Sequence, residues 1–432
     1  MTATDIHRTI EAVWRIESPR LIAGLTRIVR DVGLAEDLAQ DALVAALEQW
    51  PESGVPDNPG AWLMAVAKHR AMDHFRRNTR LGRKHEELGR ELSAKEMAVP
   101  DLDSALDDDV GDDLLRLLFI SCHPVLSTEG QVALTLRLLG GLTTEEIARA
   151  YLVQEATVAQ RIVRSKRTLA EKRVPFEVPR AGELVARLSS VLAVLYLIFN
   201  EGYSATAGDD WMRPALCEEA LRLGRVLAEL APQEPEVHGL VALMEIQASR
   251  SRARVAPSGE PILLFDQNRS HWDQLLIRRG LAALDRSKKL LAGKLEDERG
   301  SYVLQAEIAA CHARARTPEE TDWPRIATLY AALARLAPSP VVELNRAVAV
   351  GMALGPAAGL ELVDALTADD SLANYHLLPS VRGDLLKKLS RLEEARVEFK
   401  RAASLTRNAR ERTLLLERAR GCVAGSSPSR RQ

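Results

Sequence analysis

Apolar positions recur along this chain at helical spacing, and the polar positions between them are not uniform in charge. From Leu34 to Trp50, Leu38, Ala42, Ala45 and Ala46 fall on one face while Asp37, Asp41 and Glu48 share the other. That pattern predicts a helix with a core side and an acidic outer side. A Pro- and Gly-rich loop runs from Pro51 to Gly60, and a second helix is predicted over Ala61 to Arg77. There Trp62, Leu63, Val66 and Phe75 are interleaved with Lys68, His69, Arg70, His74, Arg76 and Arg77. Further on, Thr143 and Glu146 stand at capping-box spacing, so a helix is expected to open there with Ile147 and Tyr151 facing inward. The pattern breaks at Leu152, Val153 and Gln154 and resumes near Glu155 with an apolar stripe of Val158, Ile162 and Leu169. Thr157, Gln160, Arg161, Arg164 and Arg167 then point outward.

Pro175 and Pro179 interrupt the helical pattern and open a new unit. From about residue 183 helix is expected to follow helix. Leu230-Ala231-Pro232 has a counterpart in Leu336-Ala337-Pro338, and Leu405 occupies a similar helix end. The steps between them are close to multiples of about 35 residues, near the period of tetratricopeptide repeats. Ala395, Phe399 and Ala402 fit such a unit, with small residues for close helix approach and a ring to fill the gap. Residues 250–320 carry no clear repeat. The fold class expected is all-α.

Composition agrees. At 432 residues the chain has room for two to four domains, and 46% apolar with 27% charged residues is the balance of a soluble globular protein. Lys and Arg number 58 against 60 Asp and Glu, a net charge of -2, which excludes a uniformly basic nucleic-acid coat or a polybasic membrane binder. The local picture differs. Lys68 to Arg90 is basic, Asp101 to Asp113 is acidic, and Arg161 to Arg173 is basic again. Two anion-binding modules joined by a solvated acidic linker are expected. The four cysteines show neither a zinc spacing nor a disulfide framework. Asp5, Arg8 and Glu11 interrupt any apolar leader, and the longest apolar run, Val191 to Phe199, falls far short of the roughly 20 residues a bilayer requires. A reduced, cytoplasmic protein without membrane contact is expected.

Two turn-linked helices with Gln and Arg on the outer face of the second form a candidate helix-turn-helix, since these side chains make bidentate contacts to purine edges. Aromatic residues among basic ones suit single-stranded DNA, although Trp62, Val66 and Phe75 each fit a core position as well. In the C-terminal portion Asn200, Glu201, Tyr203, Asp266, Asn268 and Arg269 are candidates for a polar regulatory pocket, with helix capping as the plainer reading. Cys122-His123 and Cys311-His312 lack spaced partners, so no metal and no cofactor are expected. No P-loop, GxGxxG, GxSxG or HExxH occurs, and no enzyme is expected.

The ordered set Glu36-Asp37-Leu38-Ala39-Gln40-Asp41, Ala61-Trp62-Leu63 through Ala71-Met72-Asp73-His74-Phe75-Arg76-Arg77, and the terminal helix-turn-helix resembles sigma-70 family RNA polymerase factors. Because only regions two and four are present, it is most similar to the extracytoplasmic-function (ECF) type. Phe199-Asn200-Glu201-Gly202-Tyr203-Ser204, Asp266-Gln267-Asn268-Arg269-Ser270 with Trp272-Asp273, and Asp322-Trp323 with Pro338-Ser339-Pro340-Val341-Val342 resemble the subgroup with a long tetratricopeptide-like extension. The resemblance implies region two over 1–95, an acidic linker over 96–112, region four over 113–173 and the extension over 183–425. It implies that Asp37, Gln40 and Asp41 meet the clamp helices of the largest polymerase subunit. Asn58, Trp62, Lys68, Arg70, His74, Arg76 and Arg77 would recognise and open the -10 element. Thr157, Gln160, Arg161 and Arg164, with Lys166 and Arg167 on phosphates, would read the -35 element. Ala159 stands where the family often has Lys, so no base preference carries over. The implied partners are core RNA polymerase and promoter DNA, and the large size of the extension and its lack of basic clusters point to a regulatory protein or ligand there. A helix-turn-helix regulator acting without polymerase, and an enzyme with an accessory DNA-binding region, are the other classes the residues leave open.

Overall fold

A computed structural model of the chain describes residues 3–86, 110–151, 153–179, 181–205, 207–208, 210–293 and 299–422. The chain divides into two compact units, Met1–Leu195 and Tyr196–Gln432. The architecture is all-α. Among the described residues, extended pairing is confined to a two-residue parallel ladder between β1 (Ala207–Gly208) and β2 (Arg407–Asn408) and one isolated bridge, Val255 with Pro261. No helix is long and apolar enough to cross a membrane among the described residues, and these contain no cluster of three metal-ligating side chains.

The first unit opens with three helices packed on one another: α1 (Ala3–Val29), α2 (Val32–Ser53) and α3 (Pro59–Glu86). Asp31 caps α2, its carboxylate accepting from the Leu34 amide at 2.8 Å. Gly54, at φ 84°, ends α2 where a side chain would be strained. The predicted inner face of α2 is buried as expected, with Leu38, Ala42, Ala45 and Ala46 joined by Trp50. Four further helices follow: α4 (Val110–Ser121), α5 (Thr128–Leu138), α6 (Thr144–Tyr151) and α7 (Glu155–Glu171). Helix α4 opens inside the stretch expected as acidic linker. Asp113 is buried and lies 3.2 Å from Arg27 and 2.7 Å from Arg116, so its carboxylate belongs to packed structure. Residues 96–109 of that stretch lie outside the described residues.

Helix α8 (Ala181–Tyr203) carries the division between the units. Its first half completes the core around α4 and α5. Arg187 donates to the Phe119 carbonyl at 2.8 Å with its guanidinium 5.9 Å from that ring, and Ser190 donates to the Cys122 carbonyl at 2.8 Å.

In the second unit α9 (Pro214–Leu230), α10 (Pro235–Ala248), α11 (Gln274–Leu290) and α12 (Ser301–Arg314) pack around α10, which is buried on nearly every side. Gly239 and Gly280 permit that closeness, since a Cβ on Gly239 would stand 2.8 Å from the Val303 amide nitrogen and one on Gly280 3.1 Å from the Ala242 carbonyl. Across this joint Glu236 accepts from the Tyr302 and Val303 amides, each at 3.0 Å, meeting the open donors at the start of α12. Six helices complete the unit: α13 (Trp323–Leu336), α14 (Pro340–Leu354), α15 (Pro356–Leu366), α16 (Leu377–Lys388), α17 (Leu392–Leu405) and α18 (Ala409–Gly421). Each packs on the next, and α13, α15 and α17 begin about 35 residues apart. Ala395, Phe399 and Ala402 are fully buried, and the Phe399 ring lies where a Cβ on Gly383 would come within 2.9 Å of it. Burying a ring of this kind contributes about 2–3 kcal/mol.

Candidate nucleic-acid interface

The helix-turn-helix is built as its sequence dictates. The Thr143 amide donates to Glu146 at 2.8 Å and the Glu146 amide donates to the Thr143 hydroxyl at 3.1 Å, a reciprocal cap at the start of α6. Helix α7 begins at Glu155, and Val158, Ile162, Ser165 and Leu169 form its buried side. Gln160, Arg164 and Arg167 are exposed, while Thr157 and Arg161 are half-buried at the edge of the same face. Arg167 is held by Glu171 at 2.6 Å. These side chains stand on a rigid helix and project four or more donors into solvent, as major-groove readout requires.

Lys166 is placed differently from its neighbours. It turns inward and lies 2.5 Å from Glu36 of α2, and Arg137 of α5 reaches the same carboxylate at 2.7 Å. Gln40 adds a third donor at 2.8 Å. Glu36 is only 3% exposed. Burial pushes its pKa up, but the charges and hydrogen bonds of Lys166 and Arg137 outweigh that and hold it below the usual carboxylate value. One carboxylate of the N-terminal bundle therefore bridges two cations of the helix-turn-helix portion. Glu36 opens the acidic motif in the sequence, but its ion pair is not visible there because Arg137 lies 101 residues away. The one local sign was a carboxylate next to the buried Ala35.

On α2, Asp37 and Asp41 are exposed, and Val44 and Glu48 continue the same face. Asp41 lies 3.2 Å from Arg70, so a residue expected to face polymerase and one expected to face DNA form an ion pair across α2 and α3. Gln40 is half-buried and committed to Glu36, apart from that open face. Asn58 is exposed and caps α3, its side-chain oxygen accepting from the Ala61 amide at 3.0 Å. Trp62 meets Trp50 edge-on at 5.3 Å between ring centres and is half-buried, as a core partner would be. Lys68 and His74 are also half-buried, whereas Arg76 and Arg77 are exposed. The expected cluster of basic and aromatic residues is thus spread along one helix, most open towards its C-terminal half.

Of the six residues expected to line a polar pocket in the extension, Tyr203 and Arg269 share one cluster, Tyr203 accepting from Arg250 at 2.6 Å while Arg250 and Arg269 both lie over Trp272. A cavity of about 560 Å³ in the second unit has Trp211, Met212, Leu276, Arg252 and Arg410 in its wall and includes none of them. Glu201 is ion-paired to Arg213. Tyr203 stacks on Phe199 and lies under the Arg254 guanidinium, 3.5 Å from the ring centre. Arg269 donates to the carbonyls of His312 and Ala315 at 2.7 and 2.6 Å. Asn200, Asp266 and Asn268 are exposed, and Asn268 caps a turn by accepting from the Ser270 amide at 3.0 Å. These positions serve the packing of helix ends and loops, for which short polar side chains are suited.

Comparison with known proteins agrees with this arrangement. Residues 14–81 match the family described as Sigma-70 region 2, and residues 116–169 match Sigma-70, region 4. Residues 187–288 match a family of unknown function, DUF6596. The chain is 44% identical over 395 residues to an uncharacterized protein of Rhizobium meliloti (strain 1021), covering 91% of each chain. It is 27% identical over 175 residues to the probable ECF RNA polymerase sigma factor SigI of Mycobacterium tuberculosis, in strains CDC 1551 / Oshkosh and ATCC 25618 / H37Rv, which takes in 40% of this chain and 59% of that one. No solved structure matches. A match to Sigma-70 region 2 followed by one to region 4 marks an RNA polymerase sigma factor. The chain belongs to the sigma-70 family, ECF type, and carries the DUF6596 segment as part of a C-terminal extension.

Proposed function

We propose that this sigma factor binds core RNA polymerase through the open face of α2, recognises and opens promoter DNA, and is regulated by its C-terminal extension. The observation that carries the DNA-reading part is α7 itself: exposed Gln160, Arg164 and Arg167 ride on a buried stripe behind a reciprocally capped α6. Asp37 and Asp41 supply the carboxylates for basic side chains on polymerase. Arg76 and Arg77, with Lys68, Arg70 and His74 behind them, supply the cations along the -10 strand. Lys166 joins the -35 contacts only when it leaves Glu36, so closing of the first unit and full phosphate contact by α7 compete for one ammonium group. We read the extension as tetratricopeptide-like because its last helices recur at about 35 residues. Its size and its separate cores make it a regulatory element rather than a third DNA module. The bond chemistry belongs to the polymerase, and the site of action is the cytoplasm.

Two single substitutions separate the two interfaces. Asp41→Lys is expected to weaken binding to purified core polymerase at least tenfold, measured by competition with labelled wild-type chain. Arg164→Ala is expected to leave core binding intact and to weaken promoter recognition by about 1–3 kcal/mol. Unchanged core binding by Asp41→Lys would remove α2 from the polymerase interface.

A further inference from the structure

Helices commonly end on a residue in the left-handed conformation, and glycine takes that position without strain. In this chain α1 and α7 both end that way on arginine. Arg30 has φ 55°, with its amide donating to the Thr26 carbonyl at 2.8 Å. Arg173 has φ 48°, with its amide donating to Ala170 and the following Val174 amide to Leu169, each at 3.0 Å. Among the described residues only three non-glycine residues have positive φ, and these are two of them. Both line one cavity of about 700 Å³ in the first unit, together with Arg27 and Lys166. Backbone strain kept at a side chain that glycine would relieve marks a position where the side chain is used.

The charges around that cavity favour an anion. Among the described residues neither Arg30 nor Arg173 has a hydrogen bond or ion pair from its guanidinium, and both are exposed to the cavity side of the surface. Arg27 lies 3.2 Å from Asp113, yet its Nε is a buried donor without an aligned acceptor. Lys166 shares Glu36 with Arg137. Two carboxylates also face the space. Asp31 is committed to the first turn of α2, and Glu177 is exposed and contributes to the field at Arg187. Val174, Pro175 and Phe176 give the remaining wall an apolar and aromatic surface.

We propose that this cavity is a binding site for a phosphate-bearing small molecule, a pyrophosphate or nucleoside polyphosphate, seated between Arg30 and Arg173 with Arg27 and Lys166 behind it. Two guanidinium forks on separate helix ends match two phosphates better than one, because each fork binds a phosphate in bidentate fashion. The volume lies within the range of small-molecule sites, and Phe176 offers a face for a base. A phosphate on Lys166 draws it from Glu36, so the ligand acts on the contact between the bundle and the helix-turn-helix. That consequence rests on the proposed role of α7, whereas binding itself does not.

The binding titrations use the full chain without promoter DNA or polymerase, so their outcome is independent of the sigma-factor reading. Pyrophosphate, ATP and adenosine are titrated by calorimetry against wild type, Arg30→Gly and Arg173→Gly. Glycine removes the charge and relieves the backbone, so the thermal midpoint is expected to hold or rise. Pyrophosphate and ATP are expected to bind wild type saturably, and each glycine variant is expected to lose about tenfold in affinity. Tighter binding of ATP than of pyrophosphate identifies a nucleotide, and equal binding identifies free polyphosphate. Absence of saturable binding, unchanged affinity in both variants, or adenosine binding as well as ATP would overturn the proposal. A short random-sequence DNA duplex that displaces ATP as effectively as pyrophosphate does would overturn it too, since the cavity would then be a backbone contact for DNA.

Discussion

At the scale of residues, Glu36 is the most consequential side chain that the linear pattern concealed. A buried carboxylate with three donors is stable only while its cations remain, and removing one member of such a group costs more than a surface pair is worth. Glu36→Gln keeps the shape and the link to Gln40 but leaves Lys166 and Arg137 without their counter-charge. We expect the variant to loosen the contact between the bundle and the helix-turn-helix, lower the thermal midpoint by a few degrees, and tighten binding to a DNA duplex, the last effect vanishing in Glu36→Gln with Lys166→Gln. The pH dependence has a fixed sign. The pKa of Glu36 is lowered on folding from its ordinary 4.5, so its stabilisation is present above about pH 4.5 and fades as the pH falls through the lower folded value. Wild type should therefore lose stability below pH 4.5 more steeply than Glu36→Gln, as acid titrations of the melting midpoint will read. Equal slopes would mean that the carboxylate is not held as described.

At the scale of elements, what could be read from the sequence follows the distance between partners. The cap of α6 links Thr143 with Glu146, three residues apart, and both hydrogen bonds are present. The stripe of α7 repeats within four residues and is buried, with Ser165 as a further member. The inner face of α2 was equally plain, and so was Phe399 between Ala395 and Ala402. Lys166 stands four residues after Ile162 and three before Leu169, at the edge of the apolar stripe, while Arg167 faces outward; the stripe does not name Glu36 of α2 as its partner. The residues from Asn200 to Arg269 expected to line a polar pocket are a mixed case. Glu201 and Asn268 are used near their own helix end or loop, whereas Tyr203 and Arg269 meet Arg254 and His312, more than 40 residues away. Helix α8 adds a testable consequence. A chain cut after Arg173 loses Arg187 from Phe119 and Ser190 from Cys122, whereas one cut after Leu195 retains both. The longer fragment is expected to melt several degrees higher by circular dichroism. Coincident melting curves would show that α8 does not support the helix-turn-helix portion.

At the scale of the whole molecule, near-neutral charge hides a division of labour. The acidic face of α2 and the basic outer face of α7 lie in the first unit, and more than half of the chain lies in the second. The all-α class was legible because helix formers dominate and breaks at Pro and Gly punctuate them, and the order of region two before region four through the resemblance that their motifs carry. Contacts between distant helices were not legible, because periodicity names a buried face without naming what buries it. The proposed role of the chain is to give core polymerase promoter specificity. Transcription in vitro by purified core RNA polymerase on sheared genomic DNA from the source organism, with start sites mapped by sequencing, puts that role to the test. With the full chain added, the account predicts a discrete set of start sites sharing upstream -10 and -35 elements, reduced by Asp41→Lys and by Arg164→Ala. A start-site profile identical to that of core polymerase alone would contradict it.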